Sequence, residues 1–263
     1  WPQFWGKNVI AVKQPNLPVS AKEIIIGEKY ADILGHPLIK RGIVPVFVPD
    51  NPQVDKRLSG HADLSVLHTG GDRIWLAPLR GSNFPLFLEE RGFKITYPNI
   101  VQRPMYPEDA RLNVCICGGH LIYNQHTAAK DIAQYLTNEL KLKVINCRQG
   151  YTKCSVCVVD REAIITSDRG IAVALRKSGL DVLLISAEGV ELDGFGCGFI
   201  GGAAFKLCTD VLAFTGRLDE HPDRAAILSF LDSHKVKPLY LTDRPIFDIG
   251  SGLPITETAY LHH

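Results

Sequence analysis

The sequence has almost no excess of charge and no long apolar segment. Among its 263 residues, 29 lysines and arginines stand against 28 aspartates and glutamates, which leaves a formal net charge of +1. A protein whose main ligand is nucleic acid needs concentrated positive charge for the phosphate backbone, so this class of function is disfavoured. No apolar run approaches the roughly 18 residues that span a bilayer, and the amino terminus lacks the pattern of a signal peptide. We therefore expect a cytoplasmic protein without a membrane partner.

Motifs of common catalytic and cofactor-binding sites are also missing. The sequence has no serine-hydrolase elbow and no phosphate-binding loop. Its glycine-rich run, Gly194–Gly202, leads into a predicted strand. A dinucleotide site needs a strand before the glycines and a helix after them, so tight turns explain this run better. We expect no cofactor.

The seven cysteines match neither a disulfide framework nor a zinc site. Seven is an odd number, and most of the cysteines lie inside apolar, strand-like runs, which favours reduced thiols. Cys154 and Cys157 have the spacing of a metal or redox pair, but residues three apart on a strand point to opposite faces. A zinc site with four ligands also needs a second such pair, which the sequence lacks. We expect no metal site.

What the sequence does contain is a unit of strand, turn, strand, helix and strand. The segment Tyr151–Asp168 has two short β-branched runs separated by a polar turn at Asp160–Glu162, which predicts a hairpin. Arg169–Gly179 follows with apolar residues at helical spacing and ends on a glycine, which predicts a helix. The next run, Leu180–Ile185, predicts a buried strand.

The same unit recurs along the chain. When His61–Pro78 is laid over Tyr151–Asp168 without a gap, Ser65 meets Ser155, and several apolar residues coincide as well. The strand after each predicted helix begins near residues 43, 93, 142, 180 and 236, so the sequence predicts five units. The C-terminal segment Asp248–Ile255 is too short for a sixth unit. We expect it to close a ring with the N-terminal segment.

Five strand-strand-helix-strand units of roughly 50 residues resemble the pentein fold, a five-bladed α/β-propeller. Four stretches are also similar to an uncharacterised branch of the pentein superfamily, a domain family of unknown function: Gly150–Cys154, Ile164–Ala172, Gly198–Gly202 and Asp248–Ser251. The resemblance implies one α/β domain over residues 1–263, with helices outside and the first strands lining a central channel. The superfamily contains arginine deiminases, dimethylarginine hydrolases, agmatine deiminases and amidinotransferases, which modify guanidino groups.

His61, Asp63 and Cys154 are the candidate catalytic residues. His61 and Asp63 are two positions apart and on a strand would share a face, which brings a general base close to an orienting acid. The resemblance implies a nucleophilic cysteine two repeats after such a histidine, where Cys154 stands. Lys153 would lower the pKa of this thiol if its ammonium lay near the sulfur. The alternatives are a buried, apolar role for Cys154 and an ordinary surface or capping role for His61.

Two aspartates and Lys153 are candidate substrate-binding residues. Carboxylates hold a planar guanidinium by paired hydrogen bonds. Asp248 comes just before His61 once the ring is closed. Asp210 begins a stretch similar to one in dimethylarginine hydrolases, but that stretch belongs to a different repeat there, so its role is not transferred. A structural hydrogen bond to a turn is the alternative for both aspartates.

Two functions follow as hypotheses. The first is a cysteine-dependent hydrolase or amidinotransferase that acts on a small guanidino or amidine compound. In this hypothesis Cys154 attacks the planar carbon, His61 protonates the leaving nitrogen and later activates water, and Asp63 orients His61 or holds the substrate. The second is a binding protein without catalysis, because the superfamily includes a ribosome anti-association factor of the same fold.

Overall fold

The computed structural model describes residues 8–259 of the chain. In this range the chain forms five small sheets with helices between their strands. Residues 1–7 and 260–263 of the predicted single domain lie outside the described part. No helix within residues 8–259 is long and apolar enough to cross a membrane.

Each sheet belongs to a unit that we call a blade, with an inner strand, an antiparallel middle strand, a helix, and an outer strand parallel to the middle one. Blade 1 contains β1 (Val9–Ala11), β2 (Ala21–Gly27), α1 (Ala31–Ile39) and β3 (Val44–Val48). Blade 2 contains β4 (Val66–His68), β5 (Arg73–Leu76), α2 (Phe84–Glu90) and β6 (Lys94–Thr96). Blade 3 contains β7 (Cys115–Cys117), β8 (His120–Tyr123), α3 (Lys130–Gln134), which continues as a π-helical segment (Tyr135–Glu139), and β9 (Lys143–Asn146). Blade 4 contains α4 (Thr152–Ser155), β10 (Cys157–Val158), β11 (Ala163–Thr166), α5 (Arg169–Lys177) and β12 (Asp181–Leu184). Blade 5 contains β13 (Ala204–Cys208), β14 (Val211–Phe214), α6 (Arg224–Ser233) and β15 (Lys237–Tyr240).

The C-terminal strand β16 (Leu253–Thr258) supplies the inner strand of blade 1. It lies antiparallel to β2 on one side and to β1 on the other. Backbone hydrogen bonds therefore join the two ends of the described chain. The predicted closure of the ring by the C-terminal segment is confirmed.

The hairpins have the register that the repeat predicted. Leu67 pairs with Trp75 in blade 2, and Cys157 pairs with Ile165 in blade 4, so both members of the second pair lie 90 positions after the first. The outer strands begin at residues 44, 94, 143, 181 and 237. Each begins one residue after its predicted position.

The apolar core lies largely between neighbouring blades. Cys157 and Ile165 of blade 4 pack in one cluster with Leu212, Phe214 and Leu231 of blade 5, and all five are fully buried. Because one blade has too few residues to cover its own apolar face, each sheet is stabilised by the next one around the ring.

All seven cysteines are free, and five of them are buried: Cys115, Cys117, Cys147, Cys154 and Cys157. Cys208 is half-buried at the end of β13, and Cys197 is exposed. The prediction of reduced thiols fits this arrangement. The sequence placed most of the cysteines inside strand-like runs. Cys197 instead lies in the loop between β12 and β13, and Cys147 follows β9.

The chain forms short helical turns, not the predicted strands, just before the inner strands of blades 2 and 4. Ala62–Leu64 make a 3-10 turn, and α4 spans Thr152–Ser155. The first N–H groups of such a turn have no partner within it. In α4, the side-chain oxygen of Asn113 accepts hydrogen bonds from the N–H of Lys153 at 2.8 Å and of Cys154 at 3.3 Å. A side chain from blade 3 thus stabilises a turn that the pattern within blade 4 did not predict.

Candidate active site

Residues from the five blades meet where the inner strands begin, and most of them carry polar side chains. These strands all start at the same end of the ring, so the residues just before them are brought together. They are His61 and Asp63 before β4, Asn113 before β7, Lys153 and Cys154 before β10, Gly202 before β13, and Asp248 and Ser251 before β16. The ring therefore gathers residues that are far apart in the sequence.

Cys154 lies at the centre of this cluster. Its Sγ donates a hydrogen bond to Oδ2 of Asp63 at 2.9 Å and accepts one from Nδ2 of Asn113 at 3.4 Å. The residue is only 3% exposed. Burial, and then the nearby carboxylates of Asp63 and Asp248, raise the pKa of the Cys154 thiol well above its ordinary value. The thiol is therefore protonated in the free protein at neutral pH.

The ammonium of Lys153 is bonded to Ser251 within the ring. Its side chain is buried, and Nζ donates a hydrogen bond to Oγ of Ser251 at 2.7 Å. Lys153 lines a narrow space beside Asp63 in the ring, and not the larger cavity that Cys154 faces. Burial and the carboxylates of Asp63 and Asp248 dominate the pKa of the Cys154 thiol.

Asp63 is a buried carboxyl group with one unpartnered oxygen. Oδ2 accepts the bond from Cys154, while Oδ1 has no hydrogen-bond partner among the described residues. Burial raises the pKa of Asp63 from its ordinary value of 3.8 to about 6, although the positive charges of His61 and Lys153 oppose this change. This oxygen can accept a hydrogen bond that no described residue supplies.

Asp248, more than Asp63, is placed to orient His61. Nδ1 of His61 lies 3.9 Å from Oδ1 of Asp248, and both side chains are buried. Asp248 itself is held by two backbone donors, since Oδ1 accepts from the N–H of Gly250 and Oδ2 from the N–H of Phe199, each at 2.9 Å. Nε2 of His61 has no partner among the described residues. This nitrogen is free to exchange a proton with a ligand.

The cluster forms one end of a cavity of about 400 Å³. His61, Cys154 and Asp248 line it together. Its other walls are largely apolar: Leu58, Leu64, Tyr106, Leu192, Phe195 and Phe199. A cavity of this size accommodates a small organic molecule.

Asp210 is not part of this cluster. It is exposed in the turn between β13 and β14, where its Oδ1 accepts a hydrogen bond from Sγ of Cys208 at 3.1 Å. That bond lowers the pKa of Asp210. Of the two aspartates suggested as substrate-binding residues, the structure places only Asp248 in the cluster, because Asp210 follows the inner strand of its blade, whereas the clustered residues precede theirs.

The sequence analysis missed Asn113 and Gly202. Asn113 fixes both the sulfur of Cys154 and the backbone of α4. Gly202 donates its N–H to the carbonyl oxygen of Cys154 at 2.9 Å. A signal existed for both, since each occupies the place just before an inner strand where Asp63 and Cys154 stand in their own repeats. Extending the overlay to the third and fifth hairpins would have indicated them.

A family described as "Family of unknown function (DUF6873)" matches residues 25–253, from within β2 to the first residue of β16. The chain belongs to this family. No curated protein matches the sequence.

Solved structures of several guanidino-modifying enzymes are similar to the chain. The inosamine-phosphate amidinotransferase StrB1 from Streptomyces griseus has a TM-score of 0.58 at 13% identity and covers 97% of this chain and 99% of its own. The amidinotransferase SxtG from Microseira wollei, of the saxitoxin biosynthetic pathway, has a TM-score of 0.56 at 11% identity. The match covers 96% of this chain and 98% of SxtG. A C. jejuni agmatine deiminase with substrate bound has a TM-score of 0.55 at 10% identity. The match covers 99% of this chain and 100% of the deiminase chain. The fold is therefore that of the pentein superfamily, as the sequence resemblance implied.

The donor atoms of the cluster could also hold a metal ion. Each of the residues His61, Asp63 and Cys154 offers one atom that can bind a metal, and these three atoms lie within 4.8 Å of one another. Imidazole, carboxylate and thiolate are all ligands of zinc, so these three residues suit an open, three-ligand site. Cys157 takes no part, because it is buried in the core between blades 4 and 5.

Close packing of Gly202 against Asp248 gives a first testable prediction. A Cβ added at Gly202 would overlap the carboxylate of Asp248, which is buried and held by its backbone donors. We expect Gly202→Ala to lower the free energy of unfolding by about 3 kcal/mol, measured by urea unfolding. Gly119→Ala is the matched control, since a Cβ added there meets no atom within 4 Å. Equal stability of the two variants would contradict this packing.

Proposed function

We propose that this protein is a cysteine-dependent enzyme that cleaves a C–N bond at the planar carbon of a guanidino or amidine compound. The observation that carries the proposal is the contact of Cys154 with Asp63 beside His61, at one end of a small-molecule cavity. Similarity of fold to amidinotransferases and an agmatine deiminase agrees with this proposal but does not establish it.

Two buried carboxylates favour a planar cation as the substrate. Asp248 lines the cavity, and Asp63, which contacts the thiol of Cys154 at its end, has an unpartnered oxygen. A guanidinium or amidinium group carries several N–H donors in one plane and can bond to both carboxylates. Its positive charge also compensates the negative charges that raise the pKa of the Cys154 thiol. Substrate binding thus favours ionisation of the nucleophile.

The reaction then proceeds through a covalent adduct. The proton of the Cys154 thiol passes to the free nitrogen of His61, and Sγ forms a bond to the planar carbon. The imidazolium of His61 gives this proton to the leaving nitrogen, and the C–N bond breaks. Water, or an acceptor amine, next loses a proton to His61 and attacks the adduct. The C–S bond breaks, and the thiolate of Cys154 takes back the proton.

The walls of the cavity indicate an apolar substituent on the substrate. His61 and Asp248 are the only ionisable lining residues besides cysteines and tyrosines, so no lysine or arginine lines this cavity among the described residues. Arg57 stacks its guanidinium on Phe195 at 4.0 Å, but its charge is paired with Asp55 at 2.6 Å. A substrate carboxylate would find no free cation there and would lose its hydration. We therefore propose alkyl or aryl guanidines and amidines as the substrate class.

Turnover of two matched guanidines tests this function. We expect n-butylguanidine to have a kcat/KM at least about tenfold that of arginine, which adds a charged amino acid group to a similar chain. Reaction in ¹⁸O-labelled water followed by mass spectrometry distinguishes hydrolysis from transfer, since only hydrolysis adds the label to the urea product. Hydroxylamine serves as an acceptor for the transfer reaction. Absence of turnover and of any covalent adduct with both compounds would contradict the proposal.

The non-catalytic alternative finds no support in the part of the chain that the structure describes. A protein that only binds a partner gains nothing from a buried thiol, carboxyl and imidazole with unpartnered atoms, because burying such groups opposes folding. The cluster is better explained by chemistry at Cys154.

A further inference from the structure

A second cavity lies at the opposite end of the ring from Cys154. Its volume is also about 400 Å³. It is lined by residues that end or follow the inner strands of blades 4 and 1, by Lys206 and Thr209 of blade 5, and by part of the segment 10–19. The residues near Cys154 precede those same strands. The two cavities share no lining residue, so the second one is a separate feature of the molecule.

Lys206 is the unusual residue of this cavity. It lies on β13 and is 1% exposed, although it lines the cavity. Its ammonium donates one hydrogen bond, to the carbonyl oxygen of Thr209 at 2.8 Å, and has no ion-pair partner among the described residues. Since an ammonium has three donors, two remain for a ligand. Burial lowers the pKa of Lys206, which is the effect of a cation held away from water.

The carboxylates of the cavity wall are already engaged elsewhere. Glu257 accepts hydrogen bonds from the backbone N–H groups of Lys13 at 3.0 Å and Val19 at 2.6 Å. Asp160 lies 2.7 Å from Nδ1 of His234. Neither carboxylate makes a hydrogen bond to the ammonium of Lys206. Within residues 8–259 the ammonium of Lys206 therefore has no direct ion-pair partner, and the carboxylates of Asp160 and Asp210 act on it only from a greater distance.

The rest of the wall is apolar, with free positive charge at its edge. Ile10, Leu17, Val19 and Val159 supply apolar surface. At the edge, the side chains of two exposed residues make no hydrogen bond or ion pair within residues 8–259: Lys13 and Arg161. An anion in this cavity would meet one buried cation and two exposed ones, against two carboxylates, Asp160 and Glu257, that already have hydrogen-bond partners. An apolar part of the same molecule would pack against the aliphatic wall.

We infer that this cavity binds a small organic carboxylate, with the carboxylate on Lys206 and an apolar tail against Val159 and Leu17. The buried ammonium gains a direct ion-pair partner, which it lacks within residues 8–259. One buried ammonium matches a single carboxylate, while the aliphatic wall disfavours a fully hydrated anion such as inorganic phosphate. The site is independent of the proposed reaction at Cys154.

Binding of 4-phenylbutyrate, measured by isothermal titration calorimetry, tests this inference. Two probes of the same shape serve as ligand controls: 4-phenylbutanol, which is neutral, and 4-phenylbutylamine, which is a cation. We expect saturable binding of the acid, with both controls at least about tenfold weaker. Lys206→Met keeps the length of the buried side chain and removes its charge. It should weaken binding of the acid at least about tenfold, while Cys154→Ala should leave it unchanged.

Circular dichroism will show whether Lys206→Met folds. If it does not, variants of the two exposed residues at the edge of the cavity still test the inference. Arg161→Gln and Lys13→Gln change exposed side chains, and we expect each to weaken binding of 4-phenylbutyrate about twofold to threefold. The inference is overturned if 4-phenylbutyrate shows no saturable binding, or if 4-phenylbutylamine binds as tightly as the acid. It is overturned as well if a folded Lys206→Met variant binds 4-phenylbutyrate as tightly as the wild-type protein does. It is also overturned if neither edge variant weakens binding.

Discussion

Replacing Cys154 with alanine is expected to lower kcat for a guanidine or amidine substrate by about four orders of magnitude. The change removes the sulfur that forms the covalent adduct and leaves His61 and Asp63 in place. The rate is measured from the release of ammonia or amine. Cys197→Ala is the matched control, because Cys197 lines the same cavity but is exposed. We expect this control to keep its activity within about twofold.

Alkylation by reagents of different charge tests the same assignment without a substrate. Because the Cys154 thiol is buried with a raised pKa, neutral iodoacetamide should modify the exposed Cys197 first. The cation 2-chloroacetamidine should instead modify Cys154 first, since the carboxylates of Asp63 and Asp248 attract it. Mass mapping identifies the modified residue, and His61→Ala should slow the reaction at Cys154. Preference for Cys197 with both reagents would refute the assignment.

Asp63→Asn is expected to make the protein more stable above about pH 6 and almost inactive. Burial raises the pKa of Asp63 from 3.8 to about 6, so the folded protein favours the protonated carboxyl group more than the unfolded chain does. This contribution to stability is complete below pH 3.8 and is lost as the pH rises through about 6. Above that pH the ionised Asp63 costs roughly 3 kcal/mol, which the amide of asparagine would avoid.

Urea unfolding at several pH values measures this effect. The stability difference between Asp63→Asn and the unchanged protein should grow from near zero in acid to its full size at about pH 8. Activity should fall at least about hundredfold at every pH, because the substrate loses a carboxylate. Asp210→Asn is the control, since Asp210 is exposed and far from Cys154 in the fold; it should retain full activity. A stability difference that does not change with pH would contradict the raised pKa.

The repeating architecture could be predicted from the sequence because it depends on local patterns. Period-two apolar runs and turns recur in each unit, and every recurrence adds evidence for the repeat. A glycine follows the helix in three of the five units, while Lys141 and Lys235 take the same left-handed backbone in the other two. The pairing of Leu67 with Trp75, and of Cys157 with Ile165, followed from one ungapped overlay. Ring closure by β16 followed from the number of units and the length that remained.

The candidate site was predictable only in part. His61, Asp63, Cys154 and Asp248 were named from the repeat and from the superfamily resemblance, and the structure brings them into one cluster. Their contacts were not predictable, because short helical turns replace the strands on which the geometry was argued. Asp63 thus bonds to Cys154 itself, and Asp248 is the nearer acid to His61.

The sequence by itself determined the order of strands and helices, the number of blades and the register of each hairpin, since these follow from residues within one unit. The tertiary structure alone decided which polar groups lie without a partner and which charges are compensated. The raised pKa of Asp63 and the buried ammonium of Lys206 both arise from burial by several blades at once. Burial of a charge depends on every residue around it, and those residues come together only when the ring closes.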